Sequence, residues 1–286
     1  MFTLGFLSKE FGKEVFFSTY TLHMLPITLA IMITSGLVWY LFYKVEINSL
    51  PKAKEFFDQE LEKLGPMSMG EKLNLSLFIL TFTIAMFRPA FAKLLPWFDT
   101  TAIFVTMAFF SWIIPVKTEN GHWETINNWN TTVKNMTWDV VFVTGAGIAL
   151  ASIIEQTKAY VLLVNLLTPL IQMGGLATTF GFGLAANIMT QFMNNTTTDA
   201  ILLPIAAKTL KQFGLNPIPL IYLTSASAAL GYALPAASGG ITVAIGMGAD
   251  PKVMLKWGTI LSVVGLITII IFGMFLTSVW PYFATT

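Results

Sequence analysis

The chain has 286 residues, of which 55% are hydrophobic and only 11% charged, with a formal net charge of +1. A soluble domain carries about 25% charged residues, so a surface this apolar suits lipid rather than water, and the near-zero charge points to no nucleic-acid partner. With no cysteine and only His23 and His122 as histidines, the chain has no disulfide, no thiolate metal site and no His-rich metal centre of its own.

Lys9, Glu10, Lys13 and Glu14 interrupt the first apolar run, which therefore reads as an amphipathic, interfacial start and not as a secretory signal. A spanning helix needs about 20 apolar residues. Met24 to Tyr43 supplies the first, with Pro26 suited to its opening turn. From Pro51 to Leu64, Phe56, Phe57, Leu61 and Leu64 recur at helical spacing among charges, which predicts an amphipathic helix lying on the membrane. Gly65-Pro66 ends it. Further spans are predicted over Leu73 to Phe87, closed by Arg88-Pro89, and Thr100 to Ile114, closed by Pro115. The polar stretch after Pro115, with Trp123, Trp129 and Trp138, suits a membrane–water boundary. The apolar runs Val140 to Ile154 and Ala159 to Met173 are short and separated by Glu155, Gln156 and Lys158.

From Gly174 to Lys211 two apolar arms, Leu176 to Met193 and Ala200 to Leu210, flank the polar centre Asn194-Asn195-Thr196-Thr197-Thr198-Asp199. Each arm is short for a full crossing, so this segment (174–211) reads as a re-entrant helical hairpin, its polar tip held within protein or lining a cavity. The next run (217–249) is cut by Leu234-Pro235-Ala236-Ala237-Ser238-Gly239-Gly240, the composition of a broken helix. A last span covers 255–280. The sum is an all-α integral membrane fold of about six crossings, with a re-entrant hairpin and a discontinuous helix.

The paired interruptions carry the chemistry. An unpaired polar group in hydrocarbon costs several kcal/mol, so Asn-Asn-Thr-Thr-Thr at one break and Ser-Gly-Gly at the next are hard to explain as packing. A broken helix bares N–H groups on one side and C=O groups on the other. Helix N-termini can hold a carboxylate without a buried arginine, and bared carbonyls with an Asn oxygen can coordinate Na⁺. Two such elements meeting at the bilayer midplane are the site architecture of many secondary transporters.

The stretch from Thr190 to Pro204 (TQFMNNTTTDAILLP) resembles the signature of the divalent-anion/sodium symporters, a Ser-Asn-Thr triplet at a hairpin tip followed by small residues and Leu-Leu-Pro. Gly65 to Lys72, Val143 to Ala151, and Ala233 to Ser238 running on to Gly246-Met247-Gly248 resemble the same family in the same order. The resemblance implies two inverted repeats, each with a re-entrant hairpin and a broken helix. It implies that Asn194, Asn195, Thr196 and Ser238 bind substrate, and that Thr190, Met193, Asn195 and Ala237 form a Na⁺ site. Asn194 stands where the family has Ser, and Ser238-Gly239-Gly240-Ile241 where it has Thr-Pro-Pro-Asn. Only one triplet occurs, so the chain resembles the second half of a family member: residues 1–72 a lead-in with the first span and interfacial helix, residues 73–286 the second-repeat transport domain. The implied function is sodium-coupled transport of di- or tricarboxylates in the cell (inner) membrane, by a homodimer or with a partner chain carrying the first repeat. The alternatives are a permease for sulfate or another oxyanion, and a partner subunit that does not itself transport. Asp199, an acid within an apolar arm, is either a coupling site or an acid favoured by the helix N-terminus. No His-Glu-x-x-His or Gly-x-Ser-x-Gly motif points to an enzyme.

Overall fold

A computed structural model describes residues 2–43, 53–117, 121–136, 138, 141–142, 145–146, 149, 152–153, 156–158 and 160–285. Most of the run expected over 140–154, and Glu155 after it, lie outside the described residues. The chain forms two compact units: one of Met1–Val15, Thr19–Phe42 and Trp138–Thr286, the other of Phe16–Ser18 and Tyr43–Thr137.

Helices α1 (Phe2–Phe11) and α2 (Phe17–Phe42) open the chain. The smaller unit holds α3 (Ala53–Leu64), α4 (Met69–Met86), α5 (Arg88–Phe91), α6 (Thr100–Ile113) and α7 (Trp129–Asn135). Helix α3 exposes Phe56, Phe57, Leu61 and Leu64, as an interfacial helix does. Ser68 and Glu71 close a capping box on α4, and the Asp99 side chain caps α6. Helix α4 packs against α6. A two-stranded antiparallel ribbon, β1 (Pro115–Lys117) with β2 (Trp123–Thr125), pairs Val116 with Glu124.

The larger unit adds α8 (Tyr160–Gln172), α9 (Gly175–Phe192), α10 (Asn195–Gln212), α11 (Ile218–Ala228), α12 (Gly239–Gly246) and α13 (Pro251–Val279). Helices α9 and α10 are the two arms of the hairpin. Helices α11 and α12 are the two halves of the broken helix, joined through a 3-10 turn at Pro235–Ala237. Helix α11 (IPLIYLTSASA) has no charged position, and every residue but Pro219 is buried, as befits a helix apolar all round. It is the centre of the unit, with α9, α10 and α13 packed around it. The main core joins Leu203 and Ala207 of α10, Ile221, Tyr222 and Leu223 of α11, Leu266 and Ile269 of α13, and Leu7 and Ile27 of the first two helices.

Among the described residues, α2, α4 and α13 are long and apolar enough to cross a membrane, while α6 and α11 are apolar but shorter. Fourteen residues of α6 reach about 21 Å, against a hydrocarbon core of about 30 Å, because Pro115 stops the helix. Helix α13 begins four residues before the expected 255: Asp250 accepts the Lys252 N–H at 2.8 Å and Pro251 occupies the first turn. Helix α2 likewise begins at Phe17 and takes Pro26 into its interior.

Helix α13 lies against α11 and the break through a row of small residues. A β-carbon at Gly258 would overlap the Tyr232 carbonyl, one at Gly265 would press on Leu230, and one at Gly273 on Leu223. The row lets backbones approach closely. Replacing Gly258 with Ala should cost about 1–3 kcal/mol through overpacking, measured as a lowered unfolding temperature of the detergent-solubilised chain. Gly36→Ala, in open space on α2, should be neutral or stabilise by up to about 1 kcal/mol. Equal unfolding temperatures for Gly258→Ala and wild type would show that α13 does not hold the break in place.

Candidate functional site

The hairpin turns in two residues, Met193 and Asn194, between the end of α9 and the start of α10. The polar centre is therefore mostly helical, and differs in this from a flexible polar loop. Asn194 is extended, and its Oδ1 accepts the Thr197 N–H at 2.8 Å. That cap sets the first turn of α10 at Asn195. It satisfies one of the N–H groups that a helix start leaves over, while those of Asn195 and Thr196 have no acceptor within the helix. Gly174 begins the hairpin at φ +107°, a conformation costly for other residues.

The broken helix leaves off at Ala228 and is not helical again until the turn at Pro235. Side chains from neighbouring helices take up the backbone groups that this frees. Thr190 Oγ1 of α9 donates to the Ala228 carbonyl at 2.6 Å. Ser262 Oγ of α13 donates to the Leu230 carbonyl at 2.6 Å. Gln191 spans the gap: its Nε2 donates to the Leu230 and Asn187 carbonyls, both at 3.0 Å, and its Oε1 accepts the Ala233 N–H at 3.0 Å. The Asn187 Nδ2 donates to the Ser262 carbonyl at 3.3 Å and ties α9 to α13. Two of the carbonyls freed by the break are thus occupied by protein donors, not left open to an ion.

Tip and break meet at Gly231. A β-carbon there would stand 2.9 Å from the Ala237 Cβ, 3.1 Å from the Thr190 carbonyl oxygen and 3.2 Å from Thr190 Oγ1. Thr190 Oγ1 is also 2.9 Å from Asn195 Oδ1. Thr190 and Ala237 therefore meet at one glycine, and Asn195 joins them through Thr190 Oγ1. Met193 follows Thr190 at the end of the arm, and its side chain packs against the Phe182–Ile205 cluster. Asn194, Asn195 and Thr196 are half-buried at the tip. Ser238, beside Ala237, is extended and begins α12, and its side chain makes no capping bond. The helix starts at Asn195 and Gly239 follow these contacts closely in the chain, Asn195 bonding Thr190 and Gly239 coming just after Ala237. Asp199 lies one turn deeper than Asn195, buried, where Thr3 and Ser225 donate to its Oδ2. No group of three or more His, Cys, Asp or Glu residues able to hold a metal occurs among the described residues, so the oxygens at the meeting point come from backbone and from neutral side chains.

Gln191, Ser262, Asn187 and Gly231 escaped the reading of the sequence. Asn187 and Gln191, four apart in an apolar arm, carried a signal, since polar residues within such an arm face protein. Ser262 between Gly258 and Gly265 marked the packing face of the last helix.

Residues 1–283 match the family model described as the sodium:sulfate symporter transmembrane region. The chain is 24% identical over 286 residues to the sodium-dependent dicarboxylate transporter SdcS of Staphylococcus saprophyticus, an alignment that takes in 94% of this chain and 53% of that protein. Against SdcS of Staphylococcus aureus the identity is 24% over 288 residues, with the same two shares. The chain spans about half the length of the curated relatives it matches.

Gln191→Leu leaves the Leu230 carbonyl its Ser262 donor and strips the Ala233 N–H of its acceptor. Each buried group left unmade costs about 1–3 kcal/mol. Hydrogen exchange read by mass spectrometry should quicken at least tenfold in the peptide containing Ala233, and stay unchanged in one from α4. Unchanged exchange at Ala233 would show that Gln191 does not hold the break.

Proposed function

Because the chain belongs to the family of the sodium:sulfate symporter transmembrane region, a multi-pass integral membrane family, we propose that it carries di- or tricarboxylate anions across the membrane together with Na⁺. The observation supporting this reading is the meeting of Thr190 and Ala237 at Gly231, with Asn195 Oδ1 against Thr190 Oγ1. In this reading residues 73–286 form the second-repeat transport domain, with residues 1–72 as its lead-in. The relatives' names supply the substrate class, and the shared half of their length makes a homodimer, or a partner chain carrying the first repeat, the working assembly.

Na⁺ enters as co-transported ion. The carbonyl oxygens of Thr190, Met193 and Ala237, with Asn195 Oδ1, are neutral hard donors, the kind a hard cation takes. The anion is held by dipoles and hydrogen bonds instead of a buried cation. The bare N–H groups at the start of α10 and the Thr196 hydroxyl face one carboxylate. Asn194 has committed its oxygen to the cap, which leaves its amide N–H₂ as a donor. The uncapped Ser238 hydroxyl and the first N–H groups of α12 serve a second carboxylate. Bound Na⁺ adds positive charge beside the anion, so each favours the other's binding. A change in hairpin packing then carries the paired ligands between the two sides, and no covalent chemistry is involved.

The Gly239-Gly240 start of α12 favours a second reading. Without side chains to wall it off, it accepts a tetrahedral oxyanion such as sulfate as readily as a carboxylate. Uptake of labelled succinate into proteoliposomes should require Na⁺ and be lost by at least tenfold in Asn195→Ala. Unlabelled sulfate as competitor separates the two anion classes. Absence of Na⁺-dependent uptake of any of these anions, by the chain alone or with a first-repeat partner, would leave it a subunit that does not transport.

A further inference from the structure

We propose that Asp199 is a proton-binding site built into the hairpin, one helical turn beneath Asn195 and separate from the sodium and anion positions. Asp199 is 6% exposed. Its Oδ2 accepts from Thr3 Oγ1 at 2.9 Å and from Ser225 Oγ at 2.8 Å. Those hydroxyls are 2.8 Å apart, and each has spent its single proton on the same carboxylate oxygen. The other oxygen, Oδ1, is buried without any hydrogen-bond partner. An ionised carboxylate offers about four acceptor sites across two oxygens, so this cage solvates half of one.

Among the described residues Asp199 forms no ion pair. From α2 the titratable group facing Asp199 is Tyr20. On α11 the nearest is Tyr222, whose hydroxyl is engaged with His23 Nδ1 at 3.2 Å. On α1, Glu10 is paired with Lys211 at 2.7 Å and Lys9 is exposed. Helix α9 carries no charged residue, and the one cationic group that acts on Asp199 is the amino terminus of the chain, through space and without a hydrogen bond. A bare charge buried among apolar groups is far more costly than a neutral acid.

The site is connected as well as buried. Asp199 and Asn195 are four residues apart on α10 and so lie on one side of it. Ser225 and Ala228, which bond Asp199 and Thr190 respectively, are neighbours on α11. Loss of the proton would leave a charge that only water or a shift of α10 away from α11 could accommodate. The proton therefore holds the hairpin in its packed position, and pH acts on the tip through Asp199.

The test is thermal unfolding of the whole chain in detergent from about pH 5 to about pH 9, for wild type and Asp199→Asn. A group that binds its proton more tightly when packed than when unfolded stabilises at low pH, and that contribution falls as pH rises through its titration in the packed protein. Wild type should lose unfolding temperature toward high pH relative to Asp199→Asn, which is neutral throughout. A wild type that gains stability over Asp199→Asn as pH rises, or two parallel profiles, would overturn the proposal. Should Asp199→Asn fail to fold, infrared titration of wild type and Ser225→Ala decides. Wild type should show a buried protonated-carboxyl band that bleaches at high pH. Ser225→Ala, with one donor to the charged form removed, should hold it with about tenfold higher proton affinity. No such band, or no shift, overturns it. Neither readout uses transport, so the result is independent of the anion-carrier reading.

Discussion

A helix that stops inside an apolar protein must find partners for the backbone groups it frees, and most of this structure follows from how the larger unit meets that demand. Between Ala228 and Pro235 the chain runs without its own helical bonds. Thr190, Gln191 and Ser262 replace some of them. Two come from the hairpin's first arm and one from the last helix, so both must lie against the break. That in turn requires the small residues of α13, because a side chain at Gly258 would occupy the place of the Tyr232 carbonyl. The unwound segment, the hairpin and the last helix are thus one polar-and-close-packed assembly.

This arrangement separates polar groups that build the site from those left for ligands. The Ala228 and Leu230 carbonyls and the Ala233 N–H are used up by side chains. Pro235 is likewise covered, its carbonyl accepting from Thr242 Oγ1 at 2.8 Å. The Ser238 hydroxyl makes no capping bond, and the first N–H groups of α10 beyond the Asn194 cap have no helical acceptor. The proposed carrier would use both kinds of group. Rigid, satisfied ones hold the site's shape, and open ones bind weakly enough to release. A site assembled from neutral dipoles fits anion binding in a low-dielectric interior, where a buried lysine or arginine would itself carry a large desolvation cost.

Hairpin and break were legible in the sequence because membranes punish polarity. Asn194 to Thr198 between two apolar arms, and Pro235 with Gly239-Gly240 in the next run, could hardly be explained otherwise, and both fall where the structure turns or unwinds. Three of the spans, those of α2, α4 and α13, were legible for the same reason, though less so at their ends. Caps decide those, as Asp250 does by starting α13 early. The point at which α10 begins within the polar tip was not legible, because a single Asn194 cap sets it. Gln191 passed unnoticed because its role depends on a backbone stretch some forty residues on (42 positions to Ala233), a pairing that no periodicity encodes.

What the sequence by itself determined is composition-driven: an all-helical membrane protein, the places where helices cannot continue, and membership of a symporter family through motif order. Tertiary structure alone decided which freed groups are satisfied and which stay open. It also turned Asp199 from an acid near a helix start into a carboxylate caged by Thr3, 196 residues away, and Ser225. The physical reason is range. Transfer of a segment into lipid depends on its own residues, whereas a hydrogen bond requires two groups within about 3 Å of each other, and only the folded chain says which two.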